Sequence, residues 1–354
     1  LRRLKIYRYR NVAPGTELHF SAGRHVLLGP NGGGKTTLLT LISVVLRGDF
    51  RDLGDEEFDL EYEIVEGAAR LEARVARARR QSEGESISTQ WDERVEAAVQ
   101  LGGDEPRRLK VLNDCVTVGD RPGARRIDPL ALRLHRQLRY AIFGTDVKND
   151  VPDFTCDAVK RFDEGLAFFR SLLGAESIDQ DGRMALRIMG SLTSGEPPIA
   201  MYHVLLSRLI DRLLNAWRTT GDRDRLQLDV AGMGDFAEVV SLLGMSSGLL
   251  RADLGRNERH EGRVDFTYER FQFRFTRRDG TYVIDEHLSF GQKRLLAFLF
   301  YAWANQGPIV ADELVDGMHH RWIEHCLQAI GDRQAFLSSQ SPLLMDFFGF
   351  DSAE

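Results

Sequence analysis

The feature that most constrains this chain is Gly29-Pro30-Asn31-Gly32-Gly33-Gly34-Lys35-Thr36, which has the spacing G-x-x-x-x-G-K-[ST]. It lies between a predicted strand, Arg24 to Leu28, and a predicted buried helix, Thr37 to Leu46, that Gly48 stops. Strand, glycine loop and helix in this order make a phosphate-binding loop. Glycines let backbone N–H groups approach phosphate oxygens with no Cβ in the way, and the helix N-terminus adds positive potential. Lys35 is expected to reach the β- and γ-phosphates, and the Thr36 hydroxyl to bind Mg²⁺. Asn31, Gly32, Gly33, Gly34 and Thr37 complete the nucleotide-binding candidates on this loop.

Two later segments fit the same chemistry. Gly307-Pro308-Ile309-Val310-Ala311-Asp312-Glu313 reads as a short buried strand ending in two carboxylates, a Walker B arrangement. Asp312 is then expected in the Mg²⁺ shell, and Glu313 is placed to polarise the attacking water. Leu288-Ser289-Phe290-Gly291-Gln292 opens a helix of nearly unbroken apolar character, which puts Ser289 and Gly291 at an N-terminus suited to an anion.

Leu-Ser-Phe-Gly-Gln between a Walker A and a Walker B resembles the signature motif of the ABC ATPases. The resemblance implies that Ser289, Gly291 and Gln292 serve the nucleotide on an opposite subunit, so ATP and Mg²⁺ are sandwiched between two copies of the chain. Within that superfamily the chain looks most like the RecF, SMC-like and OLD-type ATPases. Arg10-Asn11 resembles an element beside the nucleotide, which makes Arg10 a further candidate. Asp312 to His320 is similar to the Asp-Glu-x-x-x-Gly-Leu-His run, with Asp316 to His319 as its D-loop. Ser338-Ser339-Gln340-Ser341-Pro342 resembles the switch that senses γ-phosphate, with Gln340 where a histidine is usual, and Gln340 joins Glu313 as a catalytic candidate. A glutamine amide donates a hydrogen bond but carries no charge. The Gln that usually joins the two lobes stays open among Gln81, Gln90 and Gln100.

The implied fold is an α/β P-loop NTPase of the ABC type with an antiparallel β subdomain and an inserted helical lobe. Its core lobe is expected over 1–118 and 264–354, and a mainly helical insertion over 119–263. Alternation over Phe58 to Arg79 predicts a hairpin turning at Glu66 to Ala69, and a second pair is expected around Leu109 to Val118. Val204 to Trp217 has a helical stripe of Leu205, Leu209, Leu213 and Trp217. Gly244 to Arg263, rich in glycine, serine and charge, is expected to be a loop before a hairpin around Asp279-Gly280.

The 354 residues are 43% hydrophobic, enough for a substantial core, and the net charge of −6 argues against a surface that is basic all over. Arg77, Arg79, Arg80, Arg107, Arg108 and Lys110 form either a local strip for DNA or RNA phosphates or a solvated mixed face. Cys115, Cys156 and Cys326, odd in number and without metal-ligand spacing, fit a reduced cytoplasm. The N-terminus has no signal-type stretch, and the apolar run Leu295 to Ala304 is too short to span a bilayer. His135, His203, His260 and His325 are scattered and receive no role.

The resemblance therefore implies an ATP-hydrolysing head that forms an ATP-dependent dimer. It controls a partner effector in prokaryotic DNA maintenance or antiphage defence. OLD-type proteins carry a nuclease domain after the ATPase; the chain stops at Glu354, so a nuclease or toxin is expected on a separate chain. An ATP-gated scaffold with rare turnover is the competing reading, and a transporter subunit is disfavoured by the long middle insertion.

Overall fold

The computed structural model describes residues 1–80, 91–112, 115–118, 121–122, 134–143, 185–191, 199–201, 207–219, 224–260 and 263–348, which fall in two compact units. The chain opens with strands β1 (Arg3–Tyr9), β2 (Thr16–His19) and β3 (Arg24–Leu28), and the glycine loop then leads into helix α1 (Lys35–Arg47). Strands β4 (Phe58–Glu66), β5 (Ala69–Arg79), β6 (Trp91–Leu101), β7 (Arg107–Leu112), β8 (Cys115–Val118) and β9 (Arg121–Pro122) follow, then α2 (Leu134–Phe143).

The first unit, Leu1–His25 with Thr36–Ala158, is built on an antiparallel sheet in the order β2-β1-β4-β5-β6-β7-β8-β9. Its buried face follows from strict alternation. Leu60, Tyr62 and Ile64 stand opposite Val75, Ala73 and Leu71, which stand opposite Val95, Ala97 and Val99. Each row is apolar across three strands, so a one-residue slip would turn all of them to water. Helix α2 is fastened at its start, where Leu134 N–H donates to the Gly48 carbonyl at 2.8 Å and His135 Nε2 meets Tyr62 Oη at 2.9 Å.

The opposite face of this sheet carries paired charge. Arg80 meets Asp92 at 3.6 Å and Lys110 meets Glu96 at 3.0 Å there, whereas Arg77 and Glu93, which pair at 3.4 Å, continue the side of Val75 and Val95. Arg77 and Arg79 also lie over the Trp91 ring, and Arg107 over Phe143. The exposed pairs of Arg80 and Lys110 contribute at most about 1 kcal/mol each, while Arg77, at 10% exposure, is not part of a solvated face.

The second unit, Val26–Lys35 with Val159–Glu354, holds β10 (Ala185–Ser191), β11 (Ile199–Met201), α3 (Ser207–Thr219), β12 (Arg225–Asp229) and α4 (Glu238–Leu242). Next come β13 (Ser247–His260), β14 (Arg263–Thr276), β15 (Tyr282–Ile284), α5 (Phe290–Ala304), β16 (Ile309–Ala311), α6 (His320–Ile330) and β17 (Ala335–Ser339). One antiparallel sheet runs β11-β10-β14-β13-β12 with β15 added to β14, and a smaller sheet runs β16-β17-β3 with β16 and β17 parallel. Helix α5 is buried at every residue from Arg294 to Ala304. Phe300 packs edge-on against Phe236 and Phe273 at ring distances of 5.4 and 5.6 Å, which ties the helix to β14.

The helix expected at Val204 to Trp217 is α3, with Leu209 and Leu213 buried; Leu205 lies outside the described residues. The loop expected over Gly244 to Arg263 is a correction, because Ser247–His260 is strand β13. Leu250 and Ala252 are buried at alternate positions, while Arg251 and Asp253 between them pair at 2.7 Å on the other face. That period of two was hidden by the glycines and charges around it. Between 119 and 263 the described elements include strands β10 to β13 besides helices α2 to α4, so this stretch holds more sheet than its sequence pattern suggested. No helix among the described residues is long and apolar enough to cross a membrane. Cys326 is buried and unbridged, and Cys156 lies outside the described residues.

Candidate functional site

The glycine loop is shaped by backbone conformations that only glycine adopts freely: φ is 79° at Gly32 and 83° at Gly34. Gly33 N–H closes a turn onto the Pro30 carbonyl at 3.2 Å. Lys35, at the start of α1, folds back over this loop and donates to the carbonyls of Gly29 at 2.7 Å and Pro30 at 3.1 Å. Its side chain is only 8% exposed, so the ammonium is a fixed charge at the mouth of a glycine cradle. Thr36 and Thr37 follow on the first turn of α1.

Strand β16 is buried throughout and ends by delivering Asp312 and Glu313. The buried Ser338 hydroxyl, on the parallel neighbour β17, donates to Asp312 Oδ1 and accepts from Glu313 N–H at 3.0 Å. A single hydroxyl thereby sets both acidic residues. Glu313 sits at φ 52°, a left-handed conformation that costs a non-glycine residue about 1–2 kcal/mol. Its carboxylate meets Lys35 Nζ at 3.7 Å, and it accepts from Gln340 backbone N–H at 3.0 Å and from Gln340 Nε2 at 3.1 Å. The geometry brings together Lys35, Asp312, Glu313 and Gln340, which the sequence had named separately.

The strained turn is held from a third side. Arg294, buried on α5, donates to the carbonyls of Glu313 and Asp312, and its guanidinium lies 5.5 Å from the centre of the Phe290 ring. Ser289 caps α5: it accepts from Gln292 N–H at 3.4 Å, and Gln292 Oε1 accepts from Ser289 N–H at 3.0 Å. Gly291 is needed for packing, since a Cβ there would overlap the Gly317 carbonyl oxygen. Gly317, at φ 71°, in turn leaves no room for a side chain beside Phe290. The Ser289–Gln292 cap and the 316–319 loop are therefore one packed feature. Phe290 itself is 48% exposed.

Ser338 and Arg294 were not singled out from the sequence. Ser338 lies inside a quoted run, and Arg294 two residues after another, but neither position reveals a partner 26 or 19 residues away. Arg10 is elsewhere engaged: its guanidinium donates to both Glu56 oxygens, which raises its pKa and lowers that of Glu56. Gln100 donates to the Asp104 carbonyl at 3.1 Å, while Gln81 and Gln90 lie outside the described residues.

This arrangement can hold a phosphate chain against Lys35 while a carboxylate of fixed direction faces it. Asp312 offers a hard oxygen donor at the end of β16. That fits Mg²⁺, which is bound through one or two carboxylates plus phosphates and water rather than by an all-protein cage.

The family described as "AAA domain, putative AbiEii toxin, Type IV TA system" matches residues 149–346, more than half of the chain. The chain belongs to this AAA-domain family. A second AAA-domain model matches residues 3–104. Together they agree with the ABC-type resemblance carried by the P-loop, signature and Walker B residues. No curated protein matches the chain. Among solved structures, a SMC head bound to the C-terminal winged-helix domain of ScpA aligns at 14% identity and a TM-score of 0.42, covering 98% of this chain and 90% of that one. The SMC head domain from Thermotoga maritima aligns at 13% identity and 0.34, with the same coverage. A RecF recombination mediator structure aligns at 12% and 0.31, covering 96% of this chain and 92% of that one.

Proposed function

We propose that this chain is an ATP-binding and ATP-hydrolysing head that dimerises around nucleotide and controls a separate effector, a nuclease or toxin, in prokaryotic DNA maintenance or antiphage defence. The observation that carries the catalytic part is the Glu313 carboxylate fixed between the Lys35 ammonium and the two donors of Gln340. Lys35 would neutralise phosphate charge, and Glu313 would orient and deprotonate a water for attack on the γ-phosphate. Asp312 would hold Mg²⁺, which supplies charge neutralisation across the phosphates. Gly291, locked on the 316–319 loop, would present Ser289 to the nucleotide of a second copy. The family's description, "putative AbiEii toxin, Type IV TA system", is compatible with a place in such a toxin–antitoxin system.

Two variants test this directly. Lys35→Ala is expected to abolish ATP binding at the glycine loop, read by calorimetry as the loss of that site, and Glu313→Gln to bind ATP but turn over at least about a hundredfold more slowly. Unchanged affinity in the first, or ordinary turnover in the second, removes that residue from the site. Gln340 favours a second reading, an ATP-gated scaffold with rare turnover, because the neutral amide cannot carry a proton through the cycle. Steady-state turnover with and without DNA separates the two readings.

A further inference from the structure

Beside the signature segment, and sharing no residue with the glycine loop, is a cavity of about 440 Å³ in the second unit. Its rim carries Arg277 and Arg278 from the β14–β15 turn, His287, and Gln292 from the first turn of α5. Leu243, Met245, Val283 and Leu288 supply an apolar wall. Among the described residues neither arginine side chain makes a hydrogen bond or an ion pair, although Asp279, whose carboxyl the hydrogen bonds from Thr281 hold below its ordinary value, is near enough to Arg277 for that cation to help. The other arginines of this unit discussed above are engaged, Arg251 with Asp253 and Arg294 with the Glu313 carbonyl.

The one carboxylate on the rim is occupied. Asp279 Oδ1 accepts from Thr281 N–H at 2.9 Å and from Thr281 Oγ1 at 2.7 Å, closing the turn on itself. The turn is also anchored: Ser246 Oγ donates to the carbonyls of Thr276 at 3.0 Å and Arg277 at 3.2 Å. Two guanidiniums are thus presented on a fixed hairpin at the mouth of a half-apolar cavity, and Gln292 Oε1 is already taken by Ser289 N–H.

We propose that this cavity is a second, phosphate-binding site that takes a nucleotide-sized ligand. The phosphate would lie on the Arg277–Arg278 pair and the planar or apolar body against Leu243, Met245, Val283 and Leu288. Paired guanidiniums match phosphate oxygens in a fork that lysine cannot reproduce, and the volume is in the range of small-ligand sites. The phosphate comes either from a free nucleotide or from a nucleic-acid strand. Because Gln292 lines the cavity and completes the Ser289 cap, occupancy would bear on the signature segment.

The test uses the full chain, with ADP in equilibrium dialysis and a short single-stranded oligonucleotide in fluorescence anisotropy. Wild type is expected to bind two ADP per chain, Lys35→Ala one, and the double variant Arg277→Ala/Arg278→Ala one. If Lys35→Ala keeps both while the arginine variant loses one, the glycine-loop reading fails and this site stands. If ADP stoichiometry is one throughout but the arginine variant weakens the oligonucleotide at least about tenfold, and Arg277→Lys/Arg278→Lys does not restore it, the phosphate is that of a strand. The proposal is overturned if the arginine variant binds both probes as wild type does. It is equally overturned if ADP stoichiometry is unaffected and the lysine pair fully restores oligonucleotide affinity, since loose charge attraction then accounts for it.

Discussion

Glu313 occupies a conformation that its own side chain makes expensive, and the surroundings hold it there. Its φ of 52° is tolerated because Ser338 takes its N–H and Arg294 its carbonyl. Removing the carboxylate while keeping or relieving the strain separates these two contributions. Glu313→Gly is expected to be more stable than Glu313→Ala by about 1 kcal/mol, the left-handed penalty reduced by glycine's larger unfolded-state entropy. Urea unfolding measures the difference, and an equal or less stable glycine variant would mean the strain is not real. Gln340 raises a separate question, because its amide reaches Glu313 without bearing charge. Gln340→Ala should slow hydrolysis more than it weakens ATP binding, and wild-type turnover should show no step near the histidine range attributable to this position. Normal hydrolysis by Gln340→Ala would make the contact structural only.

At the scale of elements, the segment between β15 and α5 carries a titration of its own. Burial pushes the Asp285 carboxyl up to about 6, against hydrogen bonds, including one from Phe273 N–H at 3.1 Å, that act to lower it. The folded chain therefore keeps this proton between about pH 4 and 6 where the unfolded chain has lost it, so stability falls as pH rises through that window and then levels off. Asp285→Asn keeps an acceptor for Phe273 and removes the buried charge. It should be more stable than wild type by about 2 kcal/mol at pH 8 and no different near pH 4; a gain that is the same at both pH values would assign it to something other than ionisation. The elements most legible in the sequence were those whose signals are local. The glycine spacing and the apolar run of α5 each describe their own surroundings, and so do the alternating rows of β4 and β5. Strand β13 was missed because Arg251 and Asp253 satisfy each other across one face, so its charge looked like that of a loop. Arg294 and Ser338 were missed for a different reason: a buried donor is recognised by the carbonyl or carboxylate it reaches, and these partners are adjacent only after folding.

For the whole molecule, the decisive question is whether two copies close on nucleotide. Ser289 is exposed at the tip of a helix that is buried from Arg294 onward, and next to it Phe290 presents nearly half of its surface to solvent. Such a tip is rigid, since α5 is packed along its length and Gly291 is pressed on the Gly317 carbonyl. A surface offered by so firm a base suits docking against a second body better than local rearrangement. Ser289→Arg places a long cation at that tip, losing a cap contribution of about 1 kcal/mol but leaving the buried helix and the glycine loop intact. It is expected to bind ATP as a monomer, to form no ATP-dependent dimer in light scattering, and to hydrolyse little. Ser289→Ala, which loses the same cap and the hydroxyl without the added bulk, should associate more weakly than wild type but more readily than Ser289→Arg, which separates the effect of bulk from that of the helix terminus. If Ser289→Arg dimerises on ATP as wild type does, the tip does not face a second copy, and the association of two heads must be sought on another surface.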